Sequence, residues 1–322
     1  MKAVTASAPG KLMLFGEHSV VHGHPCIVTA VDQHLFVTVK QNGNDVFSLE
    51  APDLGLKIYS KTIADLGKKP PKSVRFVETL YKRFLEKYPQ KKGVHVITKS
   101  DFSSSFGFGS SSAVTVAFAK ALTTLYGFNL SKKELFDLCY QAVLEVQGVG
   151  SGFDLAAAIW GGTIYYVPPA DKVETIQIKN LPLLVGYTGV KADTPTLIRM
   201  VANLKDKNPV KIGEVFEEID RIVEQAKKVL ASNDIKKLGD LMKANQTLLR
   251  KLEVSSLELE KLIRAAEKAG ATGAKLSGAG GGDCMIAVAE ESKIEKVAAS
   301  LKNAGGKLIK VNLDVEGVRL EN

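Results

Sequence analysis

Cysteine is scarce in this chain: Cys26, Cys139 and Cys284 are the only three among 322 residues. They are odd in number, widely spaced and form no CxxC pair, which excludes a disulfide frame and speaks against a structural zinc site. Buried, inert thiols are expected. No run of eighteen apolar residues occurs, so no membrane partner is expected. The start runs from Met1 and Lys2 straight into Ala8-Pro9-Gly10-Lys11, without the apolar core and small-residue cleavage site of a signal peptide, and a cytoplasmic location is expected. Repeats and low-complexity tracts are lacking too, which disfavours solenoids and propellers. Charge is not concentrated. The 43 Lys and Arg exceed the 35 Asp and Glu by 8 but are scattered among them, with neither a basic stripe nor an RRM-type aromatic signature. Nucleic acid is therefore not expected as a partner, and an anionic small substrate accounts for the positive balance.

What is present is enough apolar sequence, 45% of residues, for large cores, and a length that favours two domains. Alternation at 35–39 and 93–97 predicts strands, while the spacing at 73–87 and 113–126 predicts helices. Past Asn180-Leu181-Pro182 the pattern changes to a strand at 183–187 and helices near 194–203, 210–230, 234–252 and 256–269. Strands at 273–276, 283–289 and 307–313 and a helix at 291–303 complete it. The expectation is an α+β protein of two domains, residues 1–180 and 181–322.

Three segments carry chemistry. Ser103-Ser104-Ser105-Phe106-Gly107-Phe108-Gly109-Ser110-Ser111-Ser112-Ala113 feeds a loop into an apolar helix. Glycines admit an anion close to the backbone, serines offer hydroxyls and caps, and first-turn amides point toward negative charge. A triphosphate suits it; a flexible Ser/Gly linker is the bland alternative. No lysine follows the last glycine, so it is not a P-loop. The second segment, Ala8-Pro9-Gly10-Lys11-Leu12-Met13-Leu14-Phe15-Gly16-Glu17-His18-Ser19-Val20-Val21-His22-Gly23, sets Lys11 and the Glu17-His18 pair at opposite ends of a short apolar run. Metal binding by His18, His22 and His24, or a surface turn, are its competing readings. In the third, Ala274-Lys275-Leu276-Ser277-Gly278-Ala279-Gly280-Gly281-Gly282-Asp283-Cys284, glycines between two strand-like runs suit either a phosphate or a tight hairpin.

In this order the three segments resemble the motifs of the GHMP kinases, small-molecule kinases acting on galactose, homoserine, mevalonate and phosphomevalonate. Residues 14–23, Gly186-Tyr187-Thr188-Gly189-Val190-Lys191 with Thr194, Asn245-Gln246 with Leu252-Glu253-Val254-Ser255, and 275–282 are similar to the mevalonate-phosphorylating branch. The resemblance implies an N-terminal domain like the second domain of ribosomal protein S5 and a ferredoxin-like C-terminal domain. It further implies ATP and Mg2+ as cofactors, mevalonate as the substrate, and admits a homodimer.

Roles carried over by the resemblance put Asp154 as catalytic base with Lys11 beside it and the reacting hydroxyl. Residues Ser105, Phe106, Gly107, Phe108, Gly109, Ser110, Ser111 and Ser112 form the nucleotide loop, Ser111 also meeting magnesium. Glu17, His18, Thr194, Gly278, Ala279 and Gly280 fall on the substrate side. Such a set suits phosphoryl transfer, which asks mainly for alignment and charge neutralisation. The family pattern is broken at Ser103, which replaces a proline, at Ser105, where a glycine often lies, and at Val143, eleven residues before Asp154, where the family has a magnesium-binding glutamate. Glu145 is about 200° away around a regular helix and is a poor substitute. Altered metal dependence is expected. Another GHMP acceptor, or nucleotide binding without catalysis, are the alternatives.

Overall fold

The longest apolar alternations make the longest strands. In the computed structural model, which describes residues 2–321, β1 (Ala3–Phe15) and β2 (Cys26–Gln41) pair antiparallel over nearly their whole length. They are joined by β3 (Val46–Ala51), β4 (Leu56–Thr62), helix α1 (Arg75–Lys87) and β5 (Val94–Ser100). Next come α2 (Ser110–Leu125), α3 (Lys132–Gln147), α4 (Phe153–Trp160), β6 (Thr163–Val167) and β7 (Lys172–Ile176). The end of β2 pairs with β5 while its beginning pairs with β6, so one strand serves two branches of the sheet. With the last strand, β12 (Arg319–Glu321), at one edge, the order is β12-β1-β2-β5-β3-β4, with β6 and β7 on the side branch, antiparallel except where β3 meets β5. Helix α2 packs on β1 and β2, flanked by α3 and α4. Its Phe118 and Leu122 are fully buried, each contributing roughly 1.5–3 kcal/mol through apolar burial.

The second layer begins with β8 (Leu183–Tyr187) and runs through α5 (Thr194–Lys207), α6 (Pro209–Ser232), α7 (Ile235–Lys251) and α8 (Leu257–Lys268). Strands β9 (Gly273–Ser277) and β10 (Cys284–Val288), α9 (Ile294–Asn303) and β11 (Lys307–Ile309) follow, and β12 (Arg319–Glu321) ends the chain. Its four strands lie antiparallel in the order β11-β8-β10-β9, the ferredoxin-like arrangement. Helices α7 and α8 cover β9.

Differences from the sequence expectation have local causes. Helix α2 starts at Ser110 because Gly109 takes φ 76 and turns the loop into the helix. The strand expected over 307–313 stops at Ile309, because the following residues are drawn back to the first sheet: the Asn312 amide donates to Asp32 Oδ1 at 2.7 Å, and β12 then pairs with β1. The helix expected from 291 opens with a 3-10 turn and is α-helical from Ile294. All three cysteines are buried. Among the described residues no helix is long and apolar enough to cross a membrane.

One hydroxyl joins the layers where their glycine-rich segments meet. Ser277 Oγ, at the end of β9, accepts from the Met13 amide at 3.1 Å and donates to the Met13 carbonyl at 2.9 Å. This brings the second and third segments side by side.

Candidate active site

A cavity of about 790 Å3 opens between the layers, over the start of α2. Gly109 caps that helix without any side-chain cap, so the amides of Ser110 and Ser111 have no intrahelical acceptor, the Gly109 carbonyl taking those of Ser112 and Ala113. The serines do not cap the helix as expected: Ser110 to Ser112 lie within its first turn, and Ser103 and Ser105 bond to each other at 2.7 Å. An uncapped, glycine-led helix start facing a cavity is suited to receive an anion. Of the expected nucleotide loop, Gly107, Gly109, Ser110, Ser111 and Ser112 are on the wall, joined by Ser103 and Ser104. Ser105, Phe106 and Phe108 are not. Phe108 is buried in the core, and Phe106 packs on Phe108 and Tyr187, so the two aromatic rings anchor the loop.

Lys11 reaches the same place from β1. Its Nζ lies 3.2 Å from Asp154 Oδ1 and donates to the Gly107 carbonyl at 3.0 Å. Asp154 stands in the first turn of α4, just past Gly152, which takes φ 82. The room between the pair and the loop is tight. A Cβ on Gly109 would sit 3.2 Å from Asp154 Oδ1 and 3.3 Å from Lys11 Cε. A cation and a carboxylate thus meet at the foot of the anion site, with Asp154 on the cavity wall.

His18, Thr194, Gly278 and Ala279 line the same cavity. His18 has φ 63 and is 5% exposed. Its Nε2 stands 2.9 Å from the Ala279 carbonyl, so Nε2 carries the proton and donates, and burial pushes the imidazole below its ordinary titration range. A neutral ring leaves Nδ1 as an acceptor. Thr194 opens α5 behind the capping Asp193.

Two residues expected on the substrate side stand elsewhere. Glu17 is fully buried behind His18 in an ion pair with the equally buried Lys275, and is absent from the wall. Gly280 is pressed against the chain at Val254, where a Cβ would lie 2.1 Å from the carbonyl oxygen. The Val254 carbonyl accepts from the Gly281 amide, and Gln246 Oε1 from the Leu276 amide, so the 245–255 segment braces the glycine loop. Sequence reasoning passed over Asp283, which lies on the wall beside Gly107. An acid directly after three glycines was the available signal.

For magnesium the wall offers the Ser111 hydroxyl and Asp154, while Oδ1 of Asp283 is taken by the Ala192 amide. Val143 presents an apolar side chain from α3, while Glu145 points away to Lys82 and Arg83 of α1. His22 stacks on Phe216 and His24 bonds to Asp220, and no group of three acidic, His or Cys side chains with metal-binding geometry occurs among the described residues. This donor set fits an ion that keeps most of its waters and nucleotide oxygens, as magnesium does.

Comparison with known proteins places the chain in a family. Residues 75–162 match the model of the GHMP kinases N terminal domain and residues 222–307 that of the GHMP kinases C terminal domain. A mevalonate kinase from Thermococcus sibiricus is 38% identical, the alignment covering 99% of this chain and 98% of the relative. The chain belongs to the GHMP kinase family. Within the family it falls on the mevalonate kinase branch. The Methanococcus jannaschii mevalonate kinase structure is similar at TM-score 0.83 and 27% identity, covering 98% of this chain and 99% of that one. The L. major mevalonate kinase in complex with R-mevalonate gives TM-score 0.78 and 27% identity, covering 96% and 95%. As a GHMP kinase the protein is an ATP-dependent phosphotransferase.

Proposed function

We propose that the protein transfers the γ-phosphoryl group of ATP to the primary hydroxyl of mevalonate. The Lys11–Asp154 contact at the foot of the α2 anion site is the observation that carries this reading. Triphosphate oxygens would take the free amides at the start of α2 and the hydroxyls of Ser110 and Ser111. Magnesium, with Ser111 as its protein contact, would supply charge neutralisation on those oxygens. Asp154 accepts the proton of the attacking hydroxyl as its oxygen bonds to Pγ and the bond from Pγ to the β,γ-bridging oxygen breaks, releasing ADP. Lys11 offers its ammonium to the emerging alkoxide.

On the acceptor side, His18 Nδ1 receives a hydrogen bond from a substrate hydroxyl, the Gly278–Ala279 backbone lines the substrate, and Thr194 faces the transferred phosphate. Glu17 serves this side from behind, through Lys275. In domain terms the boundary falls at 180/181, with the chain end returning to the first sheet. Asp154→Asn tests the assignment: kcat is expected to fall by about 10²–10⁴-fold while nucleotide affinity is kept. An Asn variant with near-normal kcat contradicts it.

A further inference from the structure

Asp283 is held more firmly than a residue after a glycine loop needs to be. Its backbone takes φ 54, a left-handed conformation that costs a residue with a Cβ and that glycine would adopt freely. Its amide donates to the Val190 carbonyl at 2.7 Å, and its own carbonyl accepts from the Thr188 amide at 2.9 Å and the Thr188 hydroxyl at 3.0 Å. These backbone bonds do not require the side chain. The carboxylate makes a separate bond: Oδ1 accepts from the Ala192 amide at 2.9 Å. Oδ2 lies toward Gly107, 2.6 Å from where a Cβ on that glycine would stand. The charged groups acting on the carboxylate are Lys11 and Lys191.

Ala192 sits between Lys191 and Thr194, and all three are on the cavity wall. The segment carrying them has little else to fix it. Helix α5 buries one residue, Val201. On the other side, Gly281 packs against Leu197 and Gly282 against the Val190 carbonyl, so the glycine loop and the 188–197 segment touch but are not bonded through side chains except at Thr188 and Asp283. Asp283 therefore couples three parts of the site: the third-segment loop, the Gly107 turn that receives Lys11, and the segment bearing Lys191 and Thr194.

We propose that Asp283 is a positioning residue for phosphoryl transfer, holding the 190–194 segment through the Ala192 amide so that Lys191 and Thr194 face the transferred group. The inference rests on the reading of the site given under Proposed function. Phosphoryl transfer is sensitive to alignment, and a displacement of 1 Å can cost on the order of 10²-fold in rate. The acceptor is a carboxylate because charge-assisted bonds to a backbone amide are stronger than neutral ones.

Two substitutions separate the side chain from the backbone it stands on. Asparagine tolerates the left-handed conformation and keeps an oxygen for Ala192; glycine suits the conformation and removes the acceptor. Asp283→Gly is expected to lower kcat by roughly ten-fold to a hundred-fold with the KM for ATP little changed, the mark of an interaction used in the transition state. Asp283→Asn is expected to stay within about five-fold of wild type, since one neutral hydrogen bond replaces a charge-assisted one. Amide hydrogen exchange at Ala192, read in peptides over 188–197, is expected to speed up in Asp283→Gly and not in Asp283→Asn. Unchanged exchange in Asp283→Gly overturns the proposal. So does an Asn variant as impaired as the Gly variant, which would show that the charge itself acts on Lys11 or on the metal. If the wild-type chain phosphorylates no acceptor, the reading of the function falls, and exchange at Ala192 still decides the role of Asp283.

Discussion

Glu17 and Lys275 form an ion pair with neither side chain exposed to solvent, linking the end of β1 to β9. Lys275 Nζ also donates to the Leu276 carbonyl at 2.6 Å, while Glu17 Oε2 has no partner among the described residues. Burial pushes the Glu17 carboxyl above its ordinary range and the Lys275 ammonium below, so desolvation outweighs their mutual attraction in both. Such a pair fixes geometry more than it stabilises.

Lys275→Met strands the Glu17 carboxylate in the interior. The expected loss is about 3–5 kcal/mol of unfolding free energy. Adding Glu17→Gln removes the stranded charge, so the double variant is expected to be more stable than Lys275→Met alone. Urea unfolding of wild type, both single variants and the double variant checks this, and strictly additive losses contradict it.

Gly109 takes a left-handed φ of 76 within reach of both Lys11 and Asp154. Gly109→Ala is expected to cost about 1–2 kcal/mol of stability from the backbone alone. The methyl also presses on the Lys11–Asp154 contact, so kcat is expected to fall more than the stability loss explains. Activity measured well below the variant's melting temperature separates the two. A Gly109→Ala enzyme with wild-type kcat contradicts the placement of the reacting atoms here.

Much of this was legible beforehand because the three segments combine glycine, serine and charge in patterns that only loops beside strand and helix ends require. The Lys11–Asp154 meeting, across 143 residues of sequence, followed from the family resemblance and not from periodicity. Helix α3 was missed although Ser131 and Glu134 form a full capping box, and α4 because Phe153–Trp160 is short and, Asp154 apart, apolar throughout, which leaves no period to read. The burial of Glu17 was not legible at all. Its partner lies 258 residues away, and nothing local distinguishes a carboxylate facing a substrate from one facing a buried lysine.

Val143 faces the cavity from α3 where a carboxylate would add a metal ligand. Val143→Glu is expected to lower the free magnesium needed for half-maximal activity and to create Mn2+ binding, detectable by electron paramagnetic resonance, in the nucleotide-free protein. An unchanged magnesium requirement and no Mn2+ binding would show that α3 does not border the metal.

His22 is stacked on Phe216 at 4.6 Å, and Lys205 Nζ donates to its Nδ1 at 3.4 Å. Burial foremost, then the neighbouring Lys205 charge against the opposing Asp206, push its titration from 6.5 down to about 4. The unfolded chain therefore binds more protons than the folded one between those values, and stability falls as the pH is lowered through that window. His18 and His34 are shifted the same way and add to the slope. In His22→Phe the urea midpoint is expected to depend less steeply on pH between 6.5 and 4. An unaltered slope contradicts the assignment.

The central claim is the acceptor, and it is tested most directly by ADP release from the purified protein with ATP and magnesium across mevalonate, phosphomevalonate, homoserine and galactose. The account predicts turnover with mevalonate alone, with the phosphate appearing on its primary hydroxyl by 31P NMR. Turnover with another member of the panel and none with mevalonate, or ATP binding with no turnover on any, contradicts it.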